Sequence, residues 1–210
     1  MKTIAVFGAS GATGKEVITE ANQRGLTTHS FVRRANKSPK NDLNIEFNGD
    51  FDQPELLKNT LSNVDAVVIV LGQRPPYKDI FCANATQKII QEANELGINR
   101  LICQTGALIG NYPENQKAFF KKFGKKFDQS HPEVAADRTL QEDFIKHSEL
   151  NWTIVKPPRL TNGKKKGHIK CAPDIVAGLF SKIDRKDLAS LLVDLSTNHD
   201  FEKQVVFVKN

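Results

Sequence analysis

Tyrosine is nearly absent from this chain: Tyr77 and Tyr112 are the only two in 210 residues. Four residues beyond them stand Phe81 and Gln116 rather than lysine. A Tyr-x-x-x-Lys pair on one helix face lets the lysine lower the tyrosine's pKa, so that the phenol can protonate a developing alkoxide. That carbonyl-reducing device is missing. Cysteine is sparse too. Cys82, Cys103 and Cys171 are odd in number and far apart, which argues against a disulfide framework and a zinc site and points to a reducing compartment. His131, His147 and His168 have no ligand-like spacing, so no metal is expected. No run approaches the ~18 apolar residues of a membrane span, and no basic-then-apolar leader precedes the first apolar run. A soluble, unprocessed, cytoplasmic protein with no membrane partner is the expectation. No solenoid-period repeat or low-complexity linker interrupts the chain.

What is present fits one domain over residues 1–210. At 39% hydrophobic content, a chain of this size buries roughly 70% of its unfolded surface without needing a second domain. Short apolar runs alternate with segments of helical period: "TIAVFG", "THSFVRR", "NIEFNG", "DAVVIVLG", "RLICQTG" and "NWTIVKPP". Helices are predicted over 15–24, 54–61, 80–96 and 134–147, with Gly25 and Gly97 placed as C-terminal caps. Continuous runs such as "AVVIVL" are what strands buried on both faces require. The alternation therefore predicts an α/β fold, a doubly wound parallel sheet in βαβ order. Residues 73–79, 108–132 and 157–173 read as irregular. All three follow strand ends, the edge at which open α/β sheets bind ligands.

The first strand leads into "GASGATGKEV". Gly8 turns the chain sharply, Gly11 lets backbone approach a pyrophosphate, and Gly14 lets the helix pack close to the sheet. Ser10 and Thr13 add hydroxyls, and the helix amides face the anion. A glycine triplet alone is a weak signal, but between a strand and a helix it reads as a dinucleotide site. The end of the second strand, where a carboxylate would hold the ribose of NAD, reads "FVRRANK". Arg33 and Arg34 there suit a 2′-phosphate, which favours NADPH. The net charge of +6 fits anionic small molecules as well as nucleic acid, and does not choose between them.

"GASGATGKEV", "VRR", "NGDFDQPELL", "DAVVIVLGQR", "RLICQTGA", "NWTIVKPPR" and "IDRKDLASLLV" follow one another in the order seen in the atypical short-chain dehydrogenase/reductases, which the chain resembles over nearly its full length. Within them it is most similar to the biliverdin reductase B / NADPH-dependent flavin reductase branch, the more specific signals being "LGQR" and "KPPR". The resemblance implies a single Rossmann-fold domain binding NADPH across the strand ends. It places Gly8, Ser10, Gly11, Ala12, Thr13 and Gly14 on the pyrophosphate, Arg33 and Arg34 on the 2′-phosphate, and Asp50 and Phe51 on the adenine. It puts Leu71, Gly72 and Arg74 on the ribose side, and Gln104, Thr105, Gly106 and Pro157 beside the nicotinamide. Two departures put biliverdin itself in question as the substrate. Gly106, with Thr105 beside it, replaces a serine of that branch, and Arg159 replaces a histidine after the double proline.

Arg138 occupies the position at which related members often carry lysine, and a guanidinium is too basic to donate a proton. A flavin delocalises the incoming electron pair and takes its proton from solvent, so hydride transfer to it needs mainly proximity and orientation. The expectation is an NADPH-dependent oxidoreductase acting on a planar acceptor such as FMN, FAD or riboflavin, with quinones or tetrapyrroles as further members of the class. Thr105 and Arg159 are the candidate catalytic residues. The alternative is a non-catalytic NADP-binding redox sensor that binds a protein partner. The lysine groups at 119–127 and 163–168 give a weaker third reading, nucleic-acid binding, which is not expected because such runs are usually solvated charge. A monomer or small homo-oligomer is expected.

Overall fold

The computed structural model describes residues 2–73 and 75–210. The elements are β1 (Thr3–Phe7), α1 (Ala12–Gln23), β2 (Thr27–Val32), β3 (Asn44–Asn48), α2 (Pro54–Leu61), β4 (Ala66–Ile69), α3 (Cys82–Glu95), β5 (Arg100–Gln104), α4 (Ala118–Ser130), α5 (Pro132–Lys146), β6 (Asn151–Lys156), β7 (Arg159–Thr161), β8 (Lys170–Ala172), β9 (Lys182–Asp184), α6 (Arg185–Thr197) and β10 (Gln204–Lys209). The main sheet runs β3-β2-β1-β4-β5-β6-β10-β8. All its pairings are parallel except β10 with β8 at the edge. β7 and β9 pair in a separate two-stranded sheet.

Strand alternation divides the interior between the two faces. Ala5, Phe7, Val67 and Ile69 face one cluster with Leu57, Leu61, Ile89 and Ile145 from α2, α3 and α5. Ile4, Val6, Ala66 and Val68 face the other, against Val17 and Ile18 of α1 and Leu188 and Leu192 of α6. Each of these larger side chains contributes roughly 1.5–3 kcal/mol on burial, and the two faces together give the doubly wound fold. Strand order reverses between β1 and β4, which opens a crevice at their carboxyl ends.

Three sequence expectations change. β2 reaches β3 without a helix: residues 33–43 cross as an irregular segment held by Glu46, which accepts from the amides of Asn36 at 2.6 Å and Ser38 at 2.9 Å. Burial pushes the Glu46 carboxyl up, but the hydrogen bonds from Ser38, Asn36 and Lys37 outweigh it and hold the group below its ordinary value. Residues 108–132 and 157–173 are not uniformly irregular: α4 occupies much of the first, with Pro132 opening α5 immediately afterwards, and β7 and β8 lie in the second. Pro132 belongs at a helix start, where its missing N–H is no loss. The third helix begins at Cys82, later than expected. Buried Asp137 of α5 reaches across to accept from the Cys82 and Ala83 amides, both at 3.0 Å, and so caps it.

Candidate functional site

A cleft of about 1180 Å³ lies across the carboxyl ends of the central strands. Gly8 leaves β1 at φ +94, and a Cβ there would stand 2.6 Å from the Val70 carbonyl oxygen. A Cβ on Gly14 would overlap the Gly8 backbone, so the turn and the start of α1 are locked together by two residues without side chains. Gly11 donates to the Gly8 carbonyl at 2.9 Å and begins α1 with no side-chain cap. The first helical amides therefore remain available to an anion. Gly8, Ser10, Gly11, Ala12 and Thr13 line the cleft, whereas Gly14 lies behind it as a packing residue.

One end of the cleft is basic and aromatic. Arg33, Arg34, Lys37 and Lys78 line it with Asp50, Asp79, Phe31, Phe51 and Phe81. The Phe31 and Phe51 rings lie 4.7 Å apart, and the Arg33 guanidinium sits 4.5 Å above the Phe81 ring. Its distance of 3.8 Å from the exposed Asp79 carboxylate makes only a loose ion pair. A guanidinium fork can pair with an anionic oxygen group, and the aromatic rings beside it offer a planar base a stacking surface.

The opposite end carries Leu71, Gly72, Gln73, Gln104, Leu160 and Arg185. Gln104 Oε1 is buried without a partner among the described residues. Arg74 lies outside the described residues. Thr105, Gly106, Pro157 and Arg159 are not brought to the cleft wall. The backbone explains it: Thr105 and Ala107 donate to Val155 and Pro157 at 3.0 and 2.9 Å, extending the β5–β6 ladder past its named ends. Arg159 is exposed at the start of β7.

Behind that wall is a buried polar network. Lys156 is completely buried and forms an ion pair with Glu142, itself 1% exposed. Thr105 donates to Glu142 Oε1 at 2.7 Å and the Tyr112 hydroxyl to Glu142 Oε2 at 2.8 Å. Lys156 Nζ stands 4.4 Å from the Tyr112 ring centroid. A tyrosine and a lysine thus meet in space without meeting in sequence, but with the wrong electrostatics for a proton donor. Burial, followed by the Glu142 carboxylate, pushes the Tyr112 phenol up, while burial pulls the Lys156 ammonium down to about 8 against the pull of Glu142. Arg138 is buried nearby, donating to the Leu71 carbonyl at 2.7 Å and the Gln104 carbonyl at 3.2 Å, and so ties the ends of β4 and β5 to α5. Sequence reasoning missed Glu142, Lys156 and Arg185. The signal for the first two was polar residues at Asp137, Arg138, Gln141 and Glu142, on the same inward face of α5 as Val134 and Ile145.

Fold and cleft together define a dinucleotide-binding domain with its ligand edge at the carboxyl ends of the strands. The NAD(P)H-binding family matches residues 8–199, and the chain belongs to it. A chloroplastic protein of Arabidopsis thaliana, At2g34460, is 25% identical over 189 residues, covering 82% of this chain and 64% of its own length, so the chain spans under two thirds of that relative. YwnB of Bacillus subtilis is 25% identical over 177 residues, covering 82% of this chain and 80% of its own. A short-chain dehydrogenase/reductase from Veillonella parvula, solved with NADP, superposes with a TM-score of 0.81 at 17% identity over 100% of this chain and 94% of that one. ChuY, an anaerobillin reductase from Escherichia coli O157:H7, superposes at 0.77 and 18% identity over 99% and 97%. No helix among the described residues is long and apolar enough to cross a membrane.

Proposed function

We propose that the protein is an NADPH-dependent reductase that passes hydride to a planar acceptor, a flavin such as FMN, FAD or riboflavin in the first instance. The observation that carries this reading is the make-up of the cleft wall. Arg33, Arg34 and Lys37 gather at one end, and no described residue lining the cleft is tyrosine, histidine or cysteine. Arginines at the end of β2, where a ribose-binding acid would otherwise stand, suit the 2′-phosphate. A wall with no tyrosine, histidine or cysteine among its described residues suits an acceptor that takes its proton from water. The cofactor supplies the hydride. The α1 amides would hold its pyrophosphate and Arg33 and Arg34 its 2′-phosphate, while Leu71 and Leu160 give the cleft apolar wall against which planar rings could lie. The resemblance to the biliverdin reductase B / flavin reductase branch supports the acceptor class, and ChuY adds tetrapyrroles to it.

NADPH oxidation measured with a panel of flavins, quinones and linear tetrapyrroles tests the proposal. Turnover with at least one acceptor is expected, with NADH at least tenfold poorer. The redox-sensor reading is favoured by a different observation: Phe180 is 89% exposed, and Leu179, Phe119 and Phe123 are also exposed, as a protein-binding surface would be. Tight NADPH binding with no turnover on any acceptor would replace the reductase by the sensor.

A further inference from the structure

Arg185 stands apart from the other charges of the cleft. The cations and carboxylates at 33, 34, 37, 50, 78 and 79 belong to the adenine end, and Arg185 is the one charged residue among the described lining beyond it, on the wall with Leu160. It is the first residue of α6, and the carboxylates on either side of it in sequence are committed elsewhere. Asp184 accepts from the amides of Lys186 and Gly163 and from the Thr161 hydroxyl. Asp187 accepts from the amides of Lys166 and Gly167 and from Asn210. Both hold the 161–167 loop, and neither neutralises the guanidinium. Among the described residues, Arg185 has one hydrogen-bond partner, Asn162 Oδ1, and its Nε is buried with none. A guanidinium has five donors in a planar fork matched to phosphate or carboxylate. Here the protein itself uses one group of that fork, in a cleft that is also lined by the glycine turn.

We propose that Arg185 forms a second anion site of the cleft, opposite the adenine end, which takes a phosphate or carboxylate with a bidentate grip held in place by Asn162. Two sources carry that chemistry: the pyrophosphate of the cofactor, or an anionic group on the acceptor, such as the phosphate of FMN or a propionate of a tetrapyrrole. The second source rests on the reductase reading, and the first does not.

Equilibrium titration of the full chain and of Arg185→Gln tests the site without requiring turnover. NADPH is one probe; FMN and riboflavin, which differ by the phosphate, are the others, added to the NADP⁺-saturated protein. A cofactor site predicts that Arg185→Gln weakens NADPH at least tenfold and leaves the FMN-to-riboflavin affinity ratio within threefold. An acceptor site predicts the reverse, a tenfold fall in that ratio with NADPH within threefold. Arg185→Lys, which keeps the charge, should recover at least part of either loss, and an unchanged thermal midpoint confirms the fold. NADPH affinity and FMN preference both within threefold of the unmutated protein overturn the site. If neither flavin binds the NADP⁺ complex, the acceptor source is excluded and the NADPH titration alone decides. Failure of the reductase proposal would show separately, as absent turnover in the unmutated protein.

Discussion

The two sides of the β5 end treat polar groups in opposite ways. In the cleft, Gln104 Oε1 and Arg185 Nε are buried without partners, and Arg33 reaches only a loose, exposed carboxylate. Behind the wall, Thr105, Tyr112 and Lys156 all converge on one carboxylate, Glu142. An unsatisfied buried donor or acceptor costs about 1–3 kcal/mol, a cost that Asn22 Oδ1 and Gln141 Oε1 also bear away from the cleft. A closed network holds shape instead. Adjacent residues differ in the same way: Gln104 lines the cleft, while Thr105 donates to Glu142 in the core.

Breaking the closed side should have the largest effect on stability. Lys156→Met leaves Glu142 buried beside two hydroxyls and the more distant Lys146, 3.7 Å away. Loss of one partner of a buried pair costs about 3–5 kcal/mol, and the double change Lys156→Met with Glu142→Leu should recover most of it, as urea unfolding would show. Equal losses in single and double variants would mean that the pair is not the unit. The pH dependence gives a second measure. Lys156 has a folded pKa of about 8 against an ordinary 10.5, so between those values the unfolded chain binds more protons than the folded one. This residue therefore makes stability rise as pH climbs from about 8 to 10.5 and fall on the way back down. Lys156→Met should flatten that slope.

On the open side the effects fall on binding. Gly11→Val places a branched side chain where a Cβ already stands 3.1 Å from the Gly8 oxygen, at the mouth of the α1 amides. NADPH binding should disappear in a calorimetric titration while far-ultraviolet circular dichroism is retained. Unchanged affinity would make the turn purely structural. Replacing Arg33 and Arg34 together with Ala removes charge-assisted bonds worth roughly 1.5–3 kcal/mol each. The preference for NADPH over NADH should fall at least tenfold, whereas equal affinities in the unmutated protein would sink the 2′-phosphate assignment.

That contrast also marks how much was legible in advance. The sheet and its ligand edge were, because "AVVIVL" and the glycine turn carry their reasons locally, in strand burial and in the absent Cβ. Arg33 and Arg34 drew notice because they stand at the end of β2 where an acid was looked for, and the structure puts both on the cleft wall. α4 was hidden by Pro132 and by its lysines, which read as a loop. The Glu142–Lys156 pair was illegible because its partners lie on α5 and β6, brought together only by packing. Arg185 was hidden by its neighbours: in "IDRKDLASLLV" the two aspartates look like its counter-ions, and only the structure shows them holding the 161–167 loop instead.

The smallest expected effect is at Tyr112, and it tests whether the two sides are functionally separate. The hydroxyl donates to Glu142 and is not part of the cleft wall. Its phenol is pushed up, first by burial and then by the carboxylate, the opposite of what a proton donor paired with lysine needs. Tyr112→Phe removes one hydrogen bond to a charged group and should cost about 1.5–3 kcal/mol of stability at most. The flavin-dependent rate should stay within about tenfold, since loss of a committed general acid typically removes roughly 10²–10⁴ in rate. Tyr77→Phe should behave alike, because Tyr77 packs against His131 and Phe127. A hundredfold loss of turnover in Tyr112→Phe with NADPH affinity intact would join the network to the chemistry, and carbonyl reduction through a tyrosine supplied out of sequence would become the better reading of the site.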